Sequence, residues 1–152
     1  MAKSPRDGAT AEESEVPILP NFPVSNCPIR TSLGVLGRKW TLLILHDIGL
    51  NKINRFNQIL ETLPGLAPKV LSTRLKELEA EGFIKCIERQ KNPMVVRWAL
   101  TQKGKDTLPI LMRFIAFGSR WYPDIVFPDK TPRSLSELFT VPEAKKIIQG
   151  YT

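Results

Sequence analysis

Lys69, Ser72, Thr73 and Lys76 are separated by steps of three, one and three residues. At about 100° per residue these steps gather the four side chains on one side of a helix, while Leu71, Leu75 and Leu78 fall on the other. An ammonium group donates hydrogen bonds to phosphate oxygens, and a hydroxyl can also serve the base edges exposed in a major groove. Pro68 suits the first position of such a helix, where its missing N–H costs nothing. The acids Glu77, Glu79 and Glu81 are confined to the C-terminal half and are expected to point away from a polyanion. An ordinary mixed-charge surface helix has the same composition, so its neighbours must decide its role.

Further cations follow at short range. Arg89 and Lys91 precede Asn92-Pro93, a turn signal, and Arg97 lies beyond it. Cations at a hairpin tip can lie along a phosphate backbone, although they also protect an exposed strand edge. Arg38, Lys39 and Arg55 are expected to start two helices within reach of phosphates, with Glu61 or Glu79 as alternative partners for Arg55. No other chemistry is suggested. His46, the one histidine, sits in an apolar run beside Asp47 and reads as a structural residue. Two cysteines, Cys27 and Cys86, make neither a zinc set nor a disulfide framework, which fits a reducing compartment. No nucleophile motif, phosphate loop or dinucleotide loop is present, so no enzyme activity and no cofactor is expected.

The elements that must position these residues are legible from apolar spacing. Residues 1–26 are rich in Pro, Ser and Glu and read as an extended or disordered arm. Ile29, Leu33 and Leu36 mark a short helix closed by Gly37. A second helix is expected over 38–48, apolar on most sides and closed by Gly49. Phe56, Ile59, Leu60 and Leu63 mark a third, and Pro64-Gly65 a turn. The fourth is the 68–81 segment, ended by Gly82. Strands are expected over 83–90 and 94–100. Thr101 is a plausible N-cap for a fifth helix over 102–121, bent or split by Pro109. Two short helices are expected near 135–139 and 143–148, in a 122–152 extension whose role the sequence does not state.

The fold class is therefore mainly α with a small β-hairpin, and the order of elements is that of a winged helix-turn-helix. Of the 152 residues, 27–121 carry 16 Lys+Arg against 7 Asp+Glu, whereas 1–26 carry 2 against 4 and 122–152 carry 4 against 4. The net charge of +7 thus comes from the central segment, as a polyanionic partner would require. The longest apolar run, residues 42–45, is far too short for a membrane span, and the N-terminal residues lack a signal-peptide pattern. A cytoplasmic protein with no membrane partner is expected. The fifth helix has two apolar stripes. Leu108, Leu111 and Ile115 can pack on the domain, while Ile110, Phe114, Phe117 and Trp121 call for a second copy or for cover by the tail.

The ordered motifs Cys27-Pro28-Ile29, Gly37-Arg38-Lys39-Trp40-Thr41-Leu42-Leu43-Ile44-Leu45, Arg55-Phe56-Asn57-Gln58-Ile59, Pro64-Gly65-Leu66-Ala67-Pro68-Lys69-Val70-Leu71-Ser72, Arg74-Leu75-Lys76-Glu77-Leu78-Glu79, Gly82 and Leu100-Thr101 with Gly104 resemble the HxlR-type transcription regulators, relatives of the MarR group. The resemblance covers about residues 27–121. It implies a dimeric DNA binder that places Pro68, Lys69, Ser72, Thr73 and Lys76 in the major groove of a pseudo-palindromic double-stranded operator, with Lys91 and its neighbours on the wing. It implies that Cys27 senses oxidants or electrophiles, with a small-molecule effector as another possibility, whereas the residues alone equally allow an inert, small apolar side chain there. Two positions depart from the pattern. Ala67 stands where many members have a capping Ser, and Arg38 replaces a common Gly. A winged helix that docks a protein and not DNA is the competing reading.

Overall fold

The computed structural model describes residues 17–149. Of the expected 1–26 arm, residues 1–16 lie outside the described residues, and 17–26 form no regular secondary structure. Helices α1 (Pro28–Leu36) and α2 (Thr41–His46) come first, and α2 runs on into a π-helical turn at Asp47–Asn51. Helices α3 (Phe56–Thr62) and α4 (Pro68–Ala80) follow. Strands β1 (Ile84–Lys91) and β2 (Met94–Leu100) form an antiparallel hairpin across the Asn92-Pro93 turn, whose peptide bond is cis. Short α5 (Gln102–Lys105) leads to α6 (Leu108–Trp121), and α7 (Pro123–Val126), α8 (Leu135–Leu138) and α9 (Pro142–Gln149) make up the tail.

One apolar core joins these elements. Ile44, Leu45, Ile59, Leu71, Leu75, Leu78, Ile84, Trp98, Leu100, Leu108 and Leu111 are all buried in it. Burying a side chain of this size stabilises by about 1.5–3 kcal/mol, so the inner leucines of α4 fix that helix against the domain. The inward placement of Leu71, Leu75 and Leu78 is as the spacing predicts.

Three boundaries and one burial pattern differ from the sequence reading. The second helix begins at Thr41, because Trp40 adopts a left-handed φ of 76° and residues 38–40 form a turn. Gly49 does not close that helix. It lies inside the π turn, where an added Cβ would stand 2.6 Å from Leu108 Cδ2 and 2.8 Å from Leu100 Cδ1. Its missing side chain lets the turn approach β2 and α6, and the chain leaves the helix at Lys52, with φ 58°. The 102–121 helix is split at Asp106-Thr107, and Pro109 occupies the first turn of α6, where it is tolerated. Finally, Ile29 and Leu33 are exposed, and only Leu36 of that series is buried.

The π turn also houses a buried carboxylate. Asp47 accepts from Asn51 Nδ2 at 2.9 Å and from the Thr62 hydroxyl, and His46 Nδ1 lies 3.9 Å away. His46 is thus half-buried beside a carboxylate, consistent with the structural role expected of it. In the tail, Arg133 hydrogen-bonds Asp129 and holds its carboxyl down to about 2, and a Ser134–Glu137 capping box starts α8.

Candidate nucleic-acid interface

Ala67 precedes α4 in an extended conformation and, lacking a side-chain acceptor, provides no cap, while Pro68 takes the first turn. Leu71, Leu75 and Leu78 hold one face down, so Lys69, Thr73 and Lys76 stand exposed on the other and Ser72 is half-buried. Thr73 Oγ1 donates to Lys69 O at 3.0 Å. That bond spends its proton on the helix and leaves its lone pairs outward.

The hairpin closes one side of this surface. Arg55, Gln58, Ser72, Lys76 and Arg89 line one cleft of about 620 Å³ between α3, α4 and the hairpin. Arg55 is placed there by backbone pairing. It bridges Arg97 as an extra strand residue, and Trp98 N donates to Asn54 O at 3.1 Å. Neither Glu61 nor Glu79 pairs with Arg55 among the described residues. Glu79 lies in the same cleft as Lys76, so the acids of α4 do not all point away. Gln58 was not singled out from sequence, because a lone glutamine on a short helix carries no signal until the cleft assembles around it.

The wing is shaped by a bulge. Cys86 pairs with Trp98 and Glu88 with Arg97, leaving Ile87 extra on β1. Such a residue bends the strand and increases its twist. Arg89 and Lys91 are exposed toward the tip. Arg97 is different, since its Nε lies 2.9 Å from Glu88 Oε2 and its charge is compensated across the strands.

Arg38 also departs from expectation. Its NH1 lies 3.2 Å from Glu77 Oε2, which Arg74 NH1 approaches at 3.0 Å, and Arg74 Nε donates to Lys39 O at 2.9 Å. Arg38 therefore braces the turn before α2 against α4, and its charge is already met by an acid 39 positions away in sequence. Lys39 remains exposed, its Nζ 5.2 Å from the Trp40 ring centre. Lys69, Lys76, Arg89 and Lys91 form no ion pair among the described residues.

The remaining expected residues lie elsewhere. Cys27 is exposed at the start of α1, and its carbonyl accepts from Thr31 N and Thr31 Oγ1, each at 3.0 Å. Cys86 is half-buried, with Sγ 3.3 Å from Glu88 O. On α6, Leu108 and Leu111 are buried, while Ile110, Phe114, Phe117 and Trp121 are 41%, 59%, 56% and 61% exposed. The tail borders this stripe without covering it: α9 packs beside α6 through buried Ala144 and half-buried Ile147, Leu135 and Ile148 share a cleft with Ile110, and Val126 of α7 lines a groove with Phe114. The exposed stripe continues onto α2, since Leu43 and Phe114 line one apolar groove. No group of residues suited to hold a metal occurs among the described residues, nor any helix long and apolar enough to cross a membrane.

A helix that buries leucines and exposes ammoniums and hydroxyls, beside a hairpin with cations near its tip, defines the winged helix-turn-helix class. The chain belongs to the HxlR-like helix-turn-helix family, whose profile matches residues 35–125. It is 38% identical over 96 residues to YvaP of Bacillus subtilis, described as an uncharacterized HTH-type transcriptional regulator, covering 62% of this chain and 88% of that one. Two solved structures share the fold. The reduced form of the B. subtilis transcriptional regulator YodB is 28% identical with a TM-score of 0.51, over 63% of this chain and 94% of that one. The oxidized form of the redox regulator HypR is 31% identical with a TM-score of 0.53, over 60% and 94%.

Proposed function

We propose that this protein is a cytoplasmic, homodimeric transcription regulator that reads a pseudo-palindromic DNA operator with α4 and grips its backbone with the hairpin. The observation that carries this reading is the arrangement of α4: its leucines are buried, Lys69 and Lys76 stand exposed and unpaired among the described residues, and Lys76 shares a cleft with Arg55 and Arg89. Lys69, Ser72, Thr73 and Lys76 face the groove, with Pro68 fixing where the helix starts. Lys39, Arg55, Arg89 and Lys91 meet phosphates. Arg38 and Arg97 contribute less, because Glu77 and Glu88 already answer their charge.

The test is fluorescence polarisation with duplexes tiled across the regions flanking the protein's own gene, at physiological salt. At least one duplex is expected to bind about 10³-fold or more tightly than random sequence of equal length. Uniform binding to every duplex would refute an operator-specific reading and favour the protein-docking alternative.

Dimerisation is supported by the exposed apolar stripe of α6. Its cheapest cover is a twofold copy, which presents two α4 helices to half-sites about 34–36 Å apart. Phe114→Glu with Phe117→Glu is expected to shift the protein in analytical ultracentrifugation from a two-chain to a one-chain mass. A variant that stays two-chain would place the interface elsewhere.

Cys27 is the proposed sensor. Its exposure at the head of α1 meets the access requirement for oxidation. Diamide or a quinone is expected to release wild-type protein from its operator and to leave Cys27→Ser bound. Equal release of both proteins would remove Cys27 from the role.

A further inference from the structure

A second cleft, of about 630 Å³, lies at the base of the hairpin, away from its tip. Its lining is built from the π turn, β1, β2, α5, α6 and α9. Ile48, Trp98, Leu100 and Leu108, all buried, and Ile147, half-buried, supply apolar surface. Four lysines surround it: Lys52, Lys85, Lys105 and Lys146. Asp106 is the one acid in the lining, and it already accepts from Gln102 Nε2 at 3.0 Å. Lys52 donates to Gly49 O at 2.8 Å, whereas Lys85, Lys105 and Lys146 make no hydrogen bond or ion pair among the described residues.

We propose that this cleft binds a small organic anion with an aromatic body, held by an apolar floor and a lysine rim. Four lysines from four separate segments line one concavity, and three of them have no partner among the described residues. An anion there gains from all of them at once, while an apolar ring displaces water from Trp98, Leu100 and Leu108. The volume lies within the ordinary range for small-molecule sites, roughly 300–1,000 Å³. The tail is integral to it. Lys146 and Ile147 belong to α9, beyond the 35–125 stretch that the family profile matches, so that stretch alone does not build the site. It is separate from the duplex-facing surface, since Lys69, Lys76 and Arg89 line none of it.

Equilibrium dialysis of the full chain with 1-naphthoate tests the proposal, with uncharged 1-naphthalenemethanol as the comparison. Naphthoate is expected to bind one site per chain, and the alcohol about tenfold or more weakly. Lys85→Gln with Lys105→Gln, two exposed side chains, is expected to lower naphthoate affinity about tenfold or more, and Lys146→Gln to lower it severalfold. Lys69→Gln with Lys76→Gln is expected to leave it unchanged. Three results would overturn the proposal: equal binding of acid and alcohol, indifference to the Lys85/Lys105 double change, or displacement of naphthoate by random duplex. The first two would assign any binding to the exposed apolar face of α6, and the third would make the cleft part of the DNA surface. The alcohol comparison stands even if the variants fold poorly. A negative result here leaves the α4 reading intact, because that reading is tested with DNA alone.

Discussion

Alanine at both Lys69 and Lys76 is expected to lower operator affinity about 100-fold, roughly tenfold for each lost contact. Both side chains are exposed and unpaired among the described residues, so no internal bond is broken. The variant should melt within a degree or two of the wild type. The diagnostic quantity is the salt dependence. Each phosphate contact releases condensed counterion, and the slope of log K against log salt falls by about 0.9 per contact, or about 1.8 if both lysines meet phosphates. Ammoniums directed at bases would leave the slope and relax sequence preference. Arg38→Ala makes the natural contrast. Glu77, which also pairs with Arg74, already engages that guanidinium, so the change is expected to leave the slope almost unaltered. A larger effect from Arg38 than from the lysine pair would move the reading surface away from α4.

Gly104→Ala is expected to destabilise the fold by about 3 kcal/mol and lower the melting midpoint by roughly 6–12 °C, read by calorimetry. Helix propensity alone argues the opposite, since Ala is better than Gly by about 1 kcal/mol inside a helix. The steric term decides. A Cβ on Gly104 would stand 2.1 Å from Phe83 O, 3.1 Å from its carbonyl carbon and 3.2 Å from Leu100 Cβ. The near atom is backbone and cannot swing aside. Thr101 tightens the site further, because its N donates to Phe83 O at 3.0 Å and its Oγ1 accepts from Gly104 N at 3.2 Å. Any shift of α5 away from Phe83 breaks these bonds. A variant as stable as the wild type would show that α5 is not seated against the start of the hairpin.

Much of this architecture is legible in the sequence, and the exceptions have physical reasons. The α4 stripe declares itself because burial and exposure both follow the helical period within one segment. The hairpin declares itself through Asn92-Pro93 between two β-rich runs. Gly49 misleads because glycine has two uses, ending a helix or permitting close approach, and only Leu100 and Leu108, far along the chain, reveal which applies. Trp40 at positive φ gives no local sign, since such a residue rarely adopts that conformation. The pairing of Arg38 and Arg97 escapes sequence reasoning for different reasons. Glu77 comes from a different helix, and Glu88 meets Arg97 only because the Ile87 bulge sets the register. Cations visible in sequence therefore overstate the free charge. The cleft that gathers Arg55, Gln58, Ser72, Lys76 and Arg89 is likewise invisible until three elements meet.

The bond from Arg74 Nε to Lys39 O, with Glu77 shared between Arg38 and Arg74, ties the corner between α1 and α2 to the middle of α4. Its worth in stability is modest, as it is for most exposed ion pairs, but its mechanical effect is not. A tilt of α1, whose first residue follows Cys27, is therefore expected to be passed to α4, the helix proposed to read DNA. In a twofold assembly two such couplings run in opposite senses, so a small rotation at each chain's α1 is expected to change the distance between the two helices twice over.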